Sequence, residues 1–155
     1  MIPLIVIALL ILGAWAFAST AKKSDSVSAC KDVDLVELKL EKFRVWVNVN
    51  YRQKFYDLLS YIVMNCPEVK RIDSFNCARI PGYNTWSYHS YGLAIDVNPT
   101  QFPMVSDVSK SYGIPDWFLD LAVYAQAIGF TWGGTWREPW DPMHFQIGKR
   151  EPVRL

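Results

Sequence analysis

The most apolar stretch of the chain is its beginning. Residues 2–18 carry no charged side chain and read IPLIVIALLILGAWAFA, a length at the lower limit of what spans a bilayer as a helix. The last three residues of this run, AFA, give the small-x-small pattern of a signal-peptidase site, although no basic residue precedes the run. Lys22 and Lys23 follow it, and the positive-inside rule would then leave the rest of the chain in the cytoplasm behind an uncleaved anchor. The first 18 residues are therefore predicted to be a signal peptide or a membrane anchor, with the orientation open.

A polar segment without periodic apolar positions follows over residues 19–34. Its serine, lysine, aspartate and alanine content is typical of a flexible linker. The sequence thus predicts a linker at 19–34 and one folded domain over residues 35–155.

Two segments of this domain repeat apolar residues at spacings of three and four, as amphipathic helices do. The first runs from Tyr51 to Met64 and ends before Pro67; its apolar positions are Phe55, Leu58, Leu59 and Ile62. The second opens at Pro115 and closes at Gly129; its apolar positions are Trp117, Leu121, Tyr124, Ala125 and Ile128.

Two short segments instead alternate apolar and polar residues, which indicates strands. Residues 93–97 place Asp96 on the face opposite the larger apolar side chains. In residues 144–147, His144 and Gln146 share one face while the other two side chains point to the core. The two segments are candidates for neighbouring strands.

The remaining segments complete the predicted fold. Residues 35–49 fit either a strand or a helix, residues 101–113 are predicted to be a polar loop over one edge of the site described below, and WGGTW at 132–136 is an aromatic turn.

Length and composition restrict the possible functions. A chain of 155 residues fits one domain with a single sizeable core. Its 51% hydrophobic and 20% charged residues exclude a disordered chain. A net charge of +1 without a basic stripe argues against a nucleic-acid partner, and we expect a monomer.

Three cysteines, Cys30, Cys66 and Cys77, lie at spacings unlike a paired zinc knuckle. A Cys66–Cys77 disulfide fits an exported domain, whereas buried free thiols fit equally well. Their state is left open by the sequence.

The chain has two histidines, and each lies a few residues from an aspartate. Catalytic zinc takes three protein ligands and keeps a fourth position for water. His89, Asp96 and His144 supply such a set if their strands pair, and Asp141 then lies where a carboxylate can act as general base. Singly, a histidine is more often only hydrogen-bonded and an aspartate before proline only a turn residue. The combination favours a metal site.

The segment SYHSYGLAIDVNP resembles the S-x-H-x-x-G-x-A-x-D motif of the zinc peptidoglycan peptidases, and WDPMHFQ resembles their D-x-x-H-F motif. This family includes D-alanyl-D-alanine carboxypeptidases and L-alanyl-D-glutamate endopeptidases, many of them phage endolysins. The likeness extends over residues 50–148. It implies a compact α+β domain whose small antiparallel sheet and flanking helices hold one Zn²⁺, with His89, Asp96 and His144 as ligands and Asp141 as catalytic base.

The resemblance also implies roles for Arg79, which would polarise the scissile carbonyl or steady the oxyanion, and for Ser87, which would contact substrate. The family often joins its cysteine directly to the arginine, whereas Ala78 separates them here. An aspartate at position 141 is typical of the endopeptidase branch, so we expect an L-alanyl-D-glutamate endopeptidase acting on stem peptides.

Two alternatives remain at this stage. One is a D-alanyl-D-alanine carboxypeptidase that uses the same metal site. The other is a catalytically inactive, membrane-tethered wall-binding module. Each places the protein at the membrane or exports it to the periplasm or cell wall.

Overall fold

The computed structural model describes residues 30–149. The predicted signal peptide or anchor and most of the predicted linker lie outside these residues. Within the described part of the chain, no helix is both long and apolar enough to cross a bilayer.

The described chain begins with an antiparallel hairpin of β1 (Leu35–Leu40) and β2 (Phe43–Asn48). Alternate residues of β2, including Val45 and Val47, are fully buried, which is the pattern of a strand with one face on the core. Glu41 takes a positive φ of 51° in the turn between the strands. Of the two interpretations of residues 35–49, the strand is therefore correct.

Two helices pack beside the sheets, α1 (Arg52–Asn65) and α2 (Asp116–Ala127). The four predicted core positions of α1 are all buried, which confirms the first helix and its face. In α2 the stripe is rotated from the prediction, because Phe118 and Ala122 are buried while Trp117 and Tyr124 are only partly covered.

The main sheet has four antiparallel strands in the order β3 (Ile72–Asp73), β4 (Ala94–Val97), β6 (His144–Ile147) and β5 (Phe130–Trp132). The α+β class is confirmed, with two antiparallel sheets in place of the single one expected. The core joins the hairpin, both helices and the main sheet; its largest fully buried side chains are Phe55, Phe118, Phe145, Leu58, Leu59, Ile62, Ile95 and Leu121.

The register of β4 on β6 positions the candidate site. Asp96 lies directly opposite His144, and Ile95 lies opposite Phe145. Directly opposed side chains project from the same face of a sheet at close range. The predicted pairing of these strands is therefore confirmed, and Asp73 of β3 lies on the other side of Asp96.

The cysteines form a bridge that the sequence did not suggest. Cys30 is bonded to Cys77, and Cys66 is a buried free thiol at the end of α1. The suggested Cys66–Cys77 bridge is wrong because Cys66 points into the core, whereas the Cys30 N–H donates to the Ser90 carbonyl beside the loop that contains Cys77. The last residues of the predicted linker are thus attached to the domain.

The loop over residues 101–113 packs on the domain. Phe102 is buried in the core, where its ring contacts that of Phe118. The loop that was predicted to be polar therefore contributes an apolar side chain to the core. Val105 exchanges two backbone hydrogen bonds with Trp140, the residue before Asp141. This contact lays the loop along one edge of the site.

Candidate metal centre

Three side chains converge where β4 and β6 pair. His89 Nε2 lies 3.2 Å from both Asp96 Oδ1 and His144 Nδ1, and His144 Nδ1 lies 3.0 Å from Asp96 Oδ1. In a tetrahedral zinc site with ligand bonds of about 2.0–2.1 Å, neighbouring ligand atoms are roughly 3.3 Å apart. The three side chains are therefore spaced to hold one metal ion.

His89 is carried by a single 3-10 turn, Tyr88–Tyr91. The Ser87 hydroxyl oxygen accepts the His89 N–H at the start of the turn, and Gly92 ends it with a φ of 64°. A side chain at Gly92 would meet the backbone of β2, so this glycine also lets the hairpin approach the turn closely. The motif glycine thus fixes the position of His89.

Both histidines donate their second ring N–H away from the cluster. His89 Nδ1 lies 2.7 Å from the Ser74 carbonyl oxygen, and His144 Nε2 lies 2.9 Å from the Gln146 side-chain oxygen. With those protons engaged, His89 Nε2 and His144 Nδ1 present lone pairs to each other and to the Asp96 carboxylate.

Three acceptors facing one another repel unless a cation lies among them. Two imidazole nitrogens and one carboxylate oxygen are a donor set that zinc accepts. The residues present therefore fit the zinc ion that the motifs imply.

The pKa values follow the same electrostatics. Burial opposes ionisation of Asp96, but the adjacent His144 and His89 hold the pKa of its carboxyl well below the usual range. Burial disfavours the charged form of His89, and the neighbouring Asp96 outweighs it, so the pKa of His89 is raised. The cluster favours positive charge between its members.

Asp141 is a second, separate carboxylate beside the cluster. It is 8% exposed, and its Oδ1 has no hydrogen-bond partner among the described residues. Burial raises its pKa to about 6, with the Asp96 charge adding to the rise and the charges of His144 and His89 opposing it. A buried carboxyl with an unpaired oxygen and a pKa near neutrality is suited to proton transfer.

Backbone contacts hold Asp141 in place. Its N–H donates to the Gly133 carbonyl at 3.2 Å, and its own carbonyl accepts the His144 N–H at 3.2 Å. A Cβ at Gly133 would collide with the Asp141 carbonyl, so only glycine allows this approach. The Tyr112 ring centroid lies 4.8 Å from that of Trp140, so the loop over residues 101–113 lies near this carboxylate. Burial first, and the Asp141 charge second, raise the pKa of Tyr112 to about 12.

The raised pKa of Asp141 predicts a pH-dependent stability of the metal-free protein. A carboxyl with a pKa of about 6 when folded and about 3.9 when unfolded binds its proton more tightly in the native state. Its ionisation therefore lowers the free energy of unfolding as the pH rises from about 4 to about 6. Asp141→Asn should be more stable by about 3 kcal/mol at about pH 8, and nearly unchanged at about pH 3.5.

Urea unfolding of both proteins in the presence of a chelator measures this difference. Equal free energies of unfolding at the higher pH would contradict the raised pKa.

A cleft of about 420 Å³ opens beside the cluster. It is lined by His89, Asp96 and residues 72–76. The ring centroid of the half-buried Trp136 lies 5.4 Å from that of His144. The cleft therefore runs beside β3, and an aromatic ring lies next to His144.

Arg79 and Ser87 were also predicted site residues. Arg79 is exposed on the hairpin-like loop after Cys77, where its guanidinium donates to the carbonyl and side-chain oxygens of Asn84 and stacks on Trp86 at 4.4 Å. None of its contacts in the described chain is with the metal cluster. Ser87 adjoins His89 as the cap of its turn.

Two groups that contact the histidines of the metal centre were not predicted as site groups from the sequence. The Ser74 carbonyl is a backbone group and has no sequence signature. Gln146 does have a sequence signature, because a polar residue two positions after His144 in a strand lies on the same face as His144.

Comparison with known proteins bears on this site. Residues 81–147 match a family model described as D-alanyl-D-alanine carboxypeptidase. The chain is also 35% identical over 66 residues to the peptidoglycan L-alanyl-D-glutamate endopeptidase CwlK of Bacillus subtilis (strain 168). That match covers 39% of this chain and 39% of the relative, so the chain spans well under half of the relative's length. No solved structure matches significantly. The segment that carries the cluster is thus similar to peptidoglycan peptidases, as its two motifs predicted.

Proposed function

We propose that this protein is a zinc-dependent peptidase that cleaves the L-alanyl-D-glutamate bond of peptidoglycan stem peptides. The observation that carries the proposal is the convergence of His89, Asp96 and His144 on one point beside the buried, unpaired carboxylate of Asp141. Three ligands and a separate base are the parts that metal-assisted hydrolysis requires.

The proposed roles divide between the metal and the protein. A zinc ion held by the three ligands would lower the pKa of a water molecule and polarise the scissile carbonyl. Asp141 takes the proton of the attacking water on its unpaired Oδ1 and delivers it to the leaving amine. Its burial keeps the carboxylate basic enough to do so near neutral pH.

Arg79 and Ser87 have proposed roles in binding. Arg79 is held by Asn84 and Trp86 on the loop that leads to the His89 turn, and it would steady the developing oxyanion or a stem carboxylate. The Ser87 oxygen accepts the His89 N–H, which leaves its hydroxyl proton to contact substrate.

Two features favour the endopeptidase over the carboxypeptidase. The residue at 141 is aspartate, and the similar CwlK is named as an L-alanyl-D-glutamate endopeptidase. The description of the matching family model supports the carboxypeptidase as the second candidate.

The test is zinc content and product mass after incubation of the purified protein with muropeptides, with and without a chelator. We expect one zinc ion per chain and chelator-sensitive cleavage between L-alanine and D-glutamate. Loss of a single D-alanine would instead identify the carboxypeptidase. Absence of both zinc and product would favour the inactive wall-binding module.

The mechanism predicts a specific effect of Gly133→Ala. The added methyl group would displace the Asp141 backbone, and misplacing a catalytic group by about 1 Å can cost on the order of 100-fold in rate. We expect the rate of hydrolysis to fall by about 10-fold or more, while the zinc content stays that of the wild type. Gly113→Ala is the matched control, because a Cβ there meets nothing within 4 Å. Normal rates for both variants would show that Gly133 does not position Asp141.

The proposed arrangement puts the peptidase domain outside the cytoplasm, behind a signal peptide or anchor over residues 1–18 and a linker that begins at residue 19. The Cys30–Cys77 disulfide supports this side of the membrane, because such bonds persist in oxidising compartments. The wall substrate lies on the same side.

A further inference from the structure

Gln146 is a buried polar residue in the central strand of the main sheet. It lies on β6 between Ala94 of β4 and Thr131 of β5 and is 2% exposed, a position where an apolar residue would be expected. A buried amide is unfavourable unless its hydrogen bonds are made. Here both ends of the amide have partners, so the burial of Gln146 leaves neither amide atom without a hydrogen bond.

The two contacts of Gln146 fix the direction of its amide. Its Oε1 lies 2.9 Å from His144 Nε2, and its Nε2 donates to the Gly148 carbonyl at 3.3 Å. A flipped amide would set two oxygens against each other at Gly148. The oxygen therefore faces His144 and can only accept a proton from it.

We propose that Gln146 is a positioning residue that holds His144 in the tautomer whose Nδ1 lone pair faces the metal. The inference deepens the proposed function, because it rests on His144 serving as a ligand.

Asp96 favours the opposite tautomer of His144. A neutral imidazole can carry its proton on either nitrogen, and a proton on His144 Nδ1 would be donated to Asp96 Oδ1, only 3.0 Å away. That tautomer would remove the lone pair on which metal binding depends. The Gln146 oxygen accepts a hydrogen bond from the proton on Nε2, and so stabilises the tautomer whose Nδ1 lone pair is available to the metal.

His89 provides an internal comparison. The Ser74 backbone carbonyl does for His89 what the Gln146 side chain does for His144, at 2.7 Å. No substitution at position 146 removes that carbonyl. The two histidines should therefore respond differently to the same change.

The test compares Gln146→Leu, which removes the acceptor, with Gln146→Glu, which keeps an oxygen at the same place. Zinc affinity of the full chain is measured by competition with a chromogenic chelator. We expect Gln146→Leu to bind zinc about 10- to 100-fold more weakly than the wild type. Gln146→Glu keeps the acceptor at His144 but loses the donor to Gly148, so we expect it to bind zinc more tightly than the Leu variant. A Leu variant with wild-type affinity, or a Glu variant as weak as the Leu variant, would overturn the proposal.

Nitrogen-15 NMR of the metal-free proteins, above the pH at which the histidines titrate, reads the tautomers directly. The chain has only two histidines to assign. In Gln146→Leu we expect His144 to shift toward the Nδ1–H form while His89 keeps its proton on Nδ1. An unchanged His144 would refute the proposal.

The two measurements separate the inference from the proposed function. If the wild type binds no zinc, the metal centre fails, and the NMR comparison still decides the role of Gln146. If Gln146→Leu does not fold, Gln146→Met, which is unbranched and also lacks the oxygen, takes its place in both measurements.

Discussion

Replacing Asp141 with asparagine is expected to lower the rate of stem-peptide hydrolysis by about 10²- to 10⁴-fold while zinc content stays at that of the wild type. Asparagine has nearly the same shape but cannot take a proton from water at neutral pH. The backbone contacts of Asp141 with Gly133 and His144 do not involve its carboxylate, so the loop should keep its position. Single-turnover rates and metal analysis on the same samples measure both quantities.

Two further variants serve as controls for this prediction. His144→Ala should lose zinc as well as hydrolysis, because it removes one of three ligands. Asp120→Asn, an exposed carboxylate on α2, should change neither. An Asp141→Asn protein that cleaves at the normal rate would eliminate Asp141 as the base.

Removing the Cys30–Cys77 disulfide should lower the free energy of unfolding by about 2–4 kcal/mol. The bond joins residues 47 positions apart, and a loop of that length loses much of its unfolded-state entropy when it is closed. For a domain of this size the melting temperature should fall by roughly 10 °C. Cleavage should also weaken, because Asn76, which lines the cleft, adjoins Cys77.

Thermal unfolding of the Cys30→Ser/Cys77→Ser protein measures the loss, with Cys66→Ala as a control for removal of a thiol outside the bridge. Reduction of the wild type by dithiothreitol should produce the same fall, and the double variant should not respond to it. A double variant as stable as the wild type would show that the bridge contributes nothing.

Much of the metal centre could be predicted from local patterns of apolar and polar residues in the sequence. Asp96 and His144 lie in short strands whose alternation is visible, and a strand pair needs only the correct register to bring them together. The α1 face was also predictable, because one side of that helix meets the core.

The rest depended on contacts between distant segments. Cys30 lies in a polar segment that has no pattern of its own, and only the fold brings it to Cys77. The stripe of α2 was misplaced because Phe118 packs into an aromatic cluster with Phe102 and Phe145, and the position of Phe102 in its loop could not be foreseen. Helical periodicity alone does not select among neighbouring aromatic residues.

The same bridge affects what happens when the chain is cut. Cys30 and Cys77 enclose both strands of the hairpin, α1 and β3, all of which precede the family-matched residues 81–147. Proteolysis at the exposed Glu41–Lys42 turn would open this covalent ring without releasing either fragment. The segment before Cys30 would stay joined to the loop beside the cleft, so a nick at this turn does not separate that segment from residues 81–147.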